Sequence, residues 1–383
     1  MKTSKSLFLT FLLLCLSLLL TSCQSSWQTE VITPDGQSVK IDSDIVKFYV
    51  DEIDDDGDAD DSMVSISYIL FHYGFSLIDT ISFIDEEQTS HSFDWEVIAE
   101  NTFFTTDGNI QVEDEIFTPT SIEIMPSPLL EKIEISILDI APTVLSVLDL
   151  PPFENSAGVS QTKTKSDRAV MIFVDGLQYE KLLSLIDQNK LPFFQSVEKI
   201  HKGITVYPSI TTSSTAALLT GLPPKDNDVY GYGYRFTDQK TIFDIASENG
   251  LVSIAVEGHS LAFNIRNAEV ILSGDRDGDG YTNDNVLANS LDVIHYHMPD
   301  LLFIHFHDVD DMGHAHGPNS IEYEKSIQEV DGYIMQIIES LPQNTFITIF
   351  ADHGMQAEKD GSGGNHGLLT SESMIIPIIF LSK

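Results

Sequence analysis

The stretch Leu301-Leu302-Phe303-Ile304-His305-Phe306-His307-Asp308-Val309-Asp310-Asp311-Met312-Gly313-His314 passes from an apolar run, broken only by His305, straight into acids and imidazoles. Two other runs do the same. Ala169 to Val174 leads into Asp175-Gly176, and Phe346 to Ala351 leads into Asp352-His353-Gly354. Runs of this length read as strands buried on both faces of a parallel sheet. Ligands of such sheets gather beyond the carboxyl ends of the strands, so groups distant in sequence are expected to meet at one edge. Thr211, in Tyr207-Pro208-Ser209-Ile210-Thr211, and His366, in Asn365-His366-Gly367, complete the set. Asp175, Asp310, His314, Asp352, His353 and His366 are then candidate metal ligands around one candidate nucleophile, Thr211.

Outward from these runs the chain alternates. Helices are expected at Tyr179–Ile186, Thr211–Leu219, Thr241–Glu248, Asn285–Tyr296 and Ser320–Ser340. Strands are expected near Gly203–Val206, at Leu251–Val256 and Thr345–Phe350, and finally from Met374 to Leu381. Strand and helix in alternation imply a mostly parallel sheet covered by helices. Residues 169–383 are read as the catalytic domain. Residues 153–168, polar and rich in Ser, Thr and Lys, read as a linker. Ahead of it, Asp139 is expected to cap a helix from Pro142 to Leu148.

Residues 31–136 show short β-like runs between polar turns: Ser38–Ile41, Val46–Val50, Met63–Leu70, Leu77–Phe83 and Ser121–Met125. They read as a small β-rich module without a catalytic cluster. Asp54 to Asp61 is an acidic run, either a cation site or a solvated loop.

The chain of 383 residues carries 59 acidic against 20 basic residues, a formal net charge of −39. Nucleic-acid polymers and anionic lipid surfaces are poor partners for such a chain. Lys2 and Lys5 precede an apolar stretch from Leu7 to Leu20, the pattern of an export signal. Leu20-Thr21-Ser22-Cys23 then resembles a bacterial lipobox, which implies a signal peptide over 1–22, lipidation of Cys23, a tether over 23–30 and anchoring to the cell envelope membrane. An ordinary cleaved signal with a chance cysteine is the alternative. Cys15 lies inside the signal, so the exported chain has no cysteine pair.

Tyr207-Pro208-Ser209-Ile210-Thr211-Thr212-Ser213-Ser214-Thr215-Ala216-Ala217-Leu218-Leu219-Thr220-Gly221 resembles the nucleophile segment of the type I phosphodiesterase/nucleotide pyrophosphatase family, in the alkaline phosphatase superfamily. The Asp175, Asp310/His314, Asp352/His353 and His366 patches are similar to that family in the same order, from Ala169 to Phe380. The resemblance implies an alkaline-phosphatase-like α/β sandwich with two divalent metal ions, usually zinc. One ion would be held by Asp175, Thr211, Asp352 and His353, the other by Asp310, His314 and His366. It further implies small-molecule phosphate esters or diesters as substrates. Ser214 stands where nucleotide pyrophosphatases carry an asparagine and is a candidate phosphate contact. No Cys/Ser-x-Pro-x-Arg sequence surrounds Thr211, which disfavours a sulfatase. The Asp139-Ile140-Ala141-Pro142-Thr143 segment resembles one that follows the last strand in superfamily members. Residues 137–152 are therefore expected to pack on the catalytic domain beside Met374–Leu381, in a permuted order.

The residue chemistry agrees. A neutral threonine hydroxyl is a weak nucleophile that a divalent cation activates by lowering its pKa. Imidazole and carboxylate ligands suit zinc, with manganese and iron as alternatives. The expected reaction is hydrolysis through a phospho-threonine, with diesters or pyrophosphates preferred. A phosphomonoesterase, a phosphonate hydrolase or phosphotransferase, and a silent metal-binding surface protein are the alternatives. His305 and His307 alternate along one strand face and either support the ligands or satisfy core polar groups. Asp275, Asp277, Asp279 and Asn283 follow the spacing of a calcium loop with Gly280 at its sixth position, but Val286 takes the acidic twelfth position. That loop is either a structural calcium site or an acidic turn.

Overall fold

A computed structural model describes residues 27–53 and 62–383. Signal residues 1–22, Cys23 and the Asp54–Asp61 run lie outside the described residues. The first strand, β1 (Gln28–Ile32), already begins within the stretch read as a tether and pairs with β2 (Ser38–Asp42). A five-stranded sheet is completed by β4 (Ile78–Ile84), β5 (Ser90–Asp94) and β9 (Ser121–Pro126), in the order β2-β1-β9-β4-β5. A second small sheet holds β3 (Met63–Ser65), β6 (Thr102–Thr105), β7 (Ile110–Val112) and β8 (Glu115–Phe117).

Two of the expected strands are helices. Val46–Val50 lies inside the helix Ser43–Ile53, and Met63–Leu70 divides into β3 and the helix Ile66–His72. The apolar positions explain both. Val46, Tyr49 and Val50 recur at helical spacing, as do Ile66, Ile69 and Leu70, and all six are buried. The Ser65 hydroxyl accepts the Ser67 N–H and starts the second helix.

The large sheet has eight strands in the order β10-β12-β19-β16-β11-β15-β13-β14. These are β10 (Ile135–Ser136), β11 (Arg168–Val174), β12 (His201–Ile204), β13 (Ser253–Glu257), β14 (Glu269–Leu272), β15 (Leu301–Phe306), β16 (Thr345–Phe350) and β19 (Ile375–Ser382). A small hairpin, β17 (Gln356–Ala357) with β18 (Gly364–Asn365), stands between the last two. Only β19 runs against its neighbours. Every residue of β15 and β16 is buried, so helices cover both faces of the sheet centre. The fold is thus a mixed α/β architecture with a mostly parallel central sheet and a small N-terminal sheet module.

Residues 135–147 belong to this domain's core. Strand β10 pairs with β12, which stands between it and β19, and the helix Ile140–Val147 packs on the helix Thr211–Thr220. Asp139 does not cap the Ile140–Val147 helix with its side chain. Its carboxylate instead accepts N–H groups from Ser136 and Val159 and from the Gln161 amide, tying residues 159–161 of the irregular connection to the core. The N-terminal module shares its own core with the catalytic domain. Trp95, fully buried, donates its indole N–H to the Leu369 carbonyl, and the Glu96 carboxylate accepts the Ser371 N–H. Both contacts brace the chain just after His366.

Candidate active site

The register of three neighbouring strands decides what meets at the sheet edge. Strand β11 pairs with β16 on one side and with β15 on the other, Phe173 standing opposite both Phe350 and His305. Asp175 therefore emerges beside the Asp352-His353 turn and beside the chain leading to Asp310. Gly176 follows with φ +67°, and a Cβ there would sit 2.6 Å from Asp310 Oδ1. Only glycine allows both that left-handed turn and that approach.

Asp310 and His314 lie one turn apart on the helix Asp308–His316, an element the sequence reading did not expect. His366 reaches them from the loop after β18. Thr211 opens the helix Thr211–Thr220, whose N-cap Ile210 offers no side-chain acceptor to the first-turn N–H groups.

All seven side chains come together in two adjoining groups. In the first, His353 Nε2 stands 3.3 Å from Thr211 Oγ1, 3.4 Å from Asp175 Oδ1 and 3.2 Å from Asp352 Oδ2. In the second, His314 Nε2 stands 3.2 Å from Asp310 Oδ2 and 3.0 Å from His366 Nε2. The two groups share a wall where the His353 and His366 rings stack at 3.6 Å.

The residues fit a pair of cations on three independent counts. First, four N or O ligands about 2.0–2.1 Å from a tetrahedral ion lie about 3.3 Å from one another, which is the spacing found here. Second, Asp175 Oδ1, Asp310 Oδ1 and Asp352 Oδ2 are buried and accept no hydrogen bond. Leaving three carboxylate oxygens dry and unpaired is strongly unfavourable unless a cation compensates them. Third, the tautomers agree. The Nδ1 atoms of His353, His366 and His314 each lie 3.0 Å from a backbone carbonyl, those of Gly354, Ser209 and Gly364. A carbonyl only accepts, so each Nδ1 carries a hydrogen and each Nε2 is the ring nitrogen turned into the site to meet a cation.

The electrostatics carry the same message. Burial, and then the charges of Asp175 and Asp310, push the Asp352 carboxyl well above the usual carboxylate range. Three crowded acids resist ionising together without a positive partner. Burial also opposes ionisation of Asp175, but hydrogen bonds from His305 and His307 outweigh it and hold that carboxyl low. Burial lowers His366 to about 3, so its ring is neutral and available as a ligand at neutral pH.

Two expected contacts fall elsewhere. Ser214 is fully buried with its hydroxyl engaged 3.0 Å from Thr205 Oγ1. Asn283 leaves the calcium-type loop altogether. It begins the helix Asn283–His297, and its amide oxygen accepts the His307 N–H, because a buried asparagine satisfies a backbone donor there. Asp275, Asp277 and Asp279 do converge, each with a ligand oxygen within 4.8 Å of the others. Arg235 is exposed and donates to the Leu261 carbonyl. Sequence reasoning missed Glu257, a buried acid that ends β13 and contacts both His305 and His307. The signal was there, since Glu257 follows a short apolar run just as Asp175 and Asp352 do.

Fold and site together define an α/β protein with acids, imidazoles and a threonine hydroxyl gathered at the carboxyl edge of a mostly parallel sheet. The chain belongs to the type I phosphodiesterase / nucleotide pyrophosphatase family, whose model matches residues 169–370. The family is typically bimetallic. Among curated relatives, the catalytic subunit of human GPI ethanolamine phosphate transferase 3 is 35% identical over 77 residues, 20% of this chain and 7% of that protein. A Schizosaccharomyces pombe protein named as an uncharacterised pyrophosphatase/phosphodiesterase is 26% identical over 236 residues, 54% of this chain and 48% of that one. The chain thus spans from under a tenth to about half of these relatives' length. Among solved structures, phosphonoacetate hydrolase from Sinorhizobium meliloti 1021 has a TM-score of 0.41 at 18% identity, covering 51% of this chain and 59% of that one. Murine ectonucleotide pyrophosphatase / phosphodiesterase 5 has a TM-score of 0.38 at 20% identity, with the same coverages of 51% and 59%.

Proposed function

We propose that the protein is a two-metal, zinc-type hydrolase of small phosphate esters that works through a phospho-Thr211 intermediate and prefers diesters or pyrophosphates. The observation that carries this reading is the meeting of Thr211 Oγ1 with Asp175 Oδ1, Asp352 Oδ2 and His353 Nε2 around one point, at the start of a ten-residue helix. Asp175, Thr211, Asp352 and His353 would hold one ion, and Asp310, His314 and His366 the other. Bound divalent cations supply Lewis-acid charge that acidifies a hydroxyl and offsets the negative charge developing in an in-line displacement.

Thr211 Oγ then attacks phosphorus, forming a P–O bond as the bond to the leaving alkoxide or phosphate breaks. The uncapped N–H groups of the first helical turn point at the phosphoryl oxygens and favour their charge. Water attacks the same phosphorus in the second step, cleaving the threonine ester and regenerating the hydroxyl. Asp352 and His353 keep Thr211 in place through both steps, because both are buried and His353 is fixed by its bond to the Gly354 carbonyl.

A second reading rests on the names of several relatives, which are GPI ethanolamine phosphate transferases. There an alcohol would replace water in the second step and the protein would be a phosphotransferase. A panel of bis-p-nitrophenyl phosphate, p-nitrophenyl phosphate and a nucleotide pyrophosphate, with and without an added alcohol, separates the readings. We expect faster turnover of the diester, loss of all turnover on chelation and recovery with zinc. Turnover that survives exhaustive chelation would contradict the proposal. Capture of the phosphoryl group by the alcohol (a mixed diester from the diester substrate, an alkyl phosphate from the monoester) in place of the product of water attack would favour the transferase.

We further propose export and anchoring through lipidated Cys23, supported by the Leu20-Thr21-Ser22-Cys23 sequence after an apolar stretch. Cys23→Ser is expected to move the protein from the membrane fraction to the soluble fraction of an expressing bacterium. A variant that stays in the membrane would contradict it.

A further inference from the structure

Behind Asp175 lies a second set of ionisable groups that the reaction scheme leaves unused. Glu257 ends β13, His305 lies in β15, His307 follows it, and Asp175 follows β11, so three adjacent strands deliver all four to one level of the sheet. His305 bridges the two acids, its Nδ1 2.8 Å from Glu257 Oε2 and its Nε2 3.1 Å from Asp175 Oδ2. His307 spans the same two oxygens, Nε2 at 3.2 Å from Glu257 and Nδ1 at 3.6 Å from Asp175. Phe173 stacks on the His305 ring at 3.7 Å and the His307 ring lies 3.6 Å from that same ring, so the bridge has little freedom to turn.

The two oxygens of Asp175 therefore have different surroundings. Oδ2 is held by both histidines, whereas Oδ1 is buried, without a hydrogen bond, and turned to Asp352 and His353. The same distinction separates this set from a metal site, since neither Asp175 Oδ2 nor Glu257 Oε2 is left without a partner. Burying Glu257 and two imidazoles is unfavourable compared with apolar residues of equal volume, so packing alone does not account for them.

We propose that Glu257 is a positioning residue: through His305 and His307 it clamps Asp175 Oδ2, so that Asp175 presents Oδ1 alone to the ion shared with Thr211, Asp352 and His353. The inference rests on the two-metal reading above. It concerns metal affinity first and turnover only through it, because Glu257 touches no reacting atom.

The test compares the purified protein with Glu257→Gln by zinc titration against a competing chelator, together with thermal unfolding of the metal-free forms. The unaltered protein is expected to bind two equivalents. In Glu257→Gln one equivalent should weaken by about 10–100-fold, the usual effect of removing a group that orients a ligand, while the other keeps its affinity. Metal-free unfolding temperatures should agree, and kcat should fall with KM little changed. Equal zinc affinities for both equivalents, with only a lower metal-free unfolding temperature, would overturn the proposal in favour of a structural role. Three equivalents in the unaltered protein, one of them lost in Glu257→Gln with the other two intact, would overturn it in favour of a metal site at the cluster. If the unaltered protein binds no zinc, it is the two-metal reading that fails. Should Glu257→Gln not fold, His307→Gln replaces it, its ring being at the more exposed margin of the set. A smaller loss at the same single equivalent is then expected, and unchanged affinity overturns the proposal.

Discussion

Two acidic clusters in this molecule have nearly the same composition and opposite surroundings. Asp275, Asp277 and Asp279 sit on an exposed turn, where Asp275 accepts the N–H groups of Gly278 and Gly280 and Asp279 accepts that of Tyr281. Those backbone bonds and water satisfy the loop without any ion. Asp175, Asp310 and Asp352 instead have oxygens that are dry and unpaired, with imidazole Nε2 atoms aimed among them. Convergence of acids alone marks neither cluster as a site. Burial without donors marks the second, since only there does an absent cation leave a large electrostatic deficit.

The largest expected effect sharpens that contrast at the nucleophile. Thr211→Ala should reduce turnover by roughly 10⁴-fold or more while zinc content stays near two equivalents, since the ligand carboxylates and imidazoles remain. Steady-state kinetics with metal analysis reads both quantities, and turnover within tenfold of the unaltered protein would contradict the mechanism. A covalent label follows from the same step: brief reaction with a diester labelled in the retained ester group, quenched in acid, should leave the ester-bearing phosphoryl group on Thr211.

An intermediate effect concerns protons. In the metal-free protein the hydrogen bond that the His314 ring donates to the Asp310 carboxylate raises His314 to about 9, with burial opposing. The ring's Nε2 therefore carries a proton at neutral pH that a metal must displace. Zinc binding to the Asp310/His314/His366 group should release this proton below pH 9. Its apparent affinity should rise by about tenfold per pH unit up to pH 9 and then level off. Calorimetry in buffers of different ionisation enthalpy measures the release, and binding without proton release at pH 7 would contradict it. The stability linkage has the matching sign. A raised histidine pKa stabilises the metal-free fold fully below about pH 6.5, and that contribution is lost as pH rises through about 9.

The smallest effect belongs to the exposed cluster. Asp277→Asn should leave turnover within about twofold and unfolding temperature nearly unchanged, as expected of a surface substitution away from a buried network. A large loss of either would show that the loop matters as much as the buried cluster, and the contrast between them would collapse.

Much of this was legible in the sequence where burial is two-sided. The strands Leu301–Phe306 and Thr345–Phe350 have the expected bounds, within one residue of their apolar runs, because no solvent face interrupts the pattern. The acids and imidazoles just past those runs were legible for the same reason: a parallel sheet sends them to one edge. Val46–Val50 was not legible as a helix by residue type, since Val, Phe and Tyr favour strands, and only the spacing of its buried positions carries the correct signal. Ser214 and Asn283 were misplaced for a different reason. Their chemistry suits the expected roles, but the nearest unsatisfied partners, Thr205 and the His307 N–H, come from other elements and are invisible along the chain. Glu257 was hidden by its apparent isolation, its histidine partners lying 48 and 50 residues away.

The most direct measurement is anomalous scattering at the zinc edge from crystals of zinc-loaded protein. Two peaks are expected: one among Asp175, Thr211, Asp352 and His353, the other among Asp310, His314 and His366. Peaks confined to the Asp275–Asp279 turn, or none in the cleft, would contradict the account.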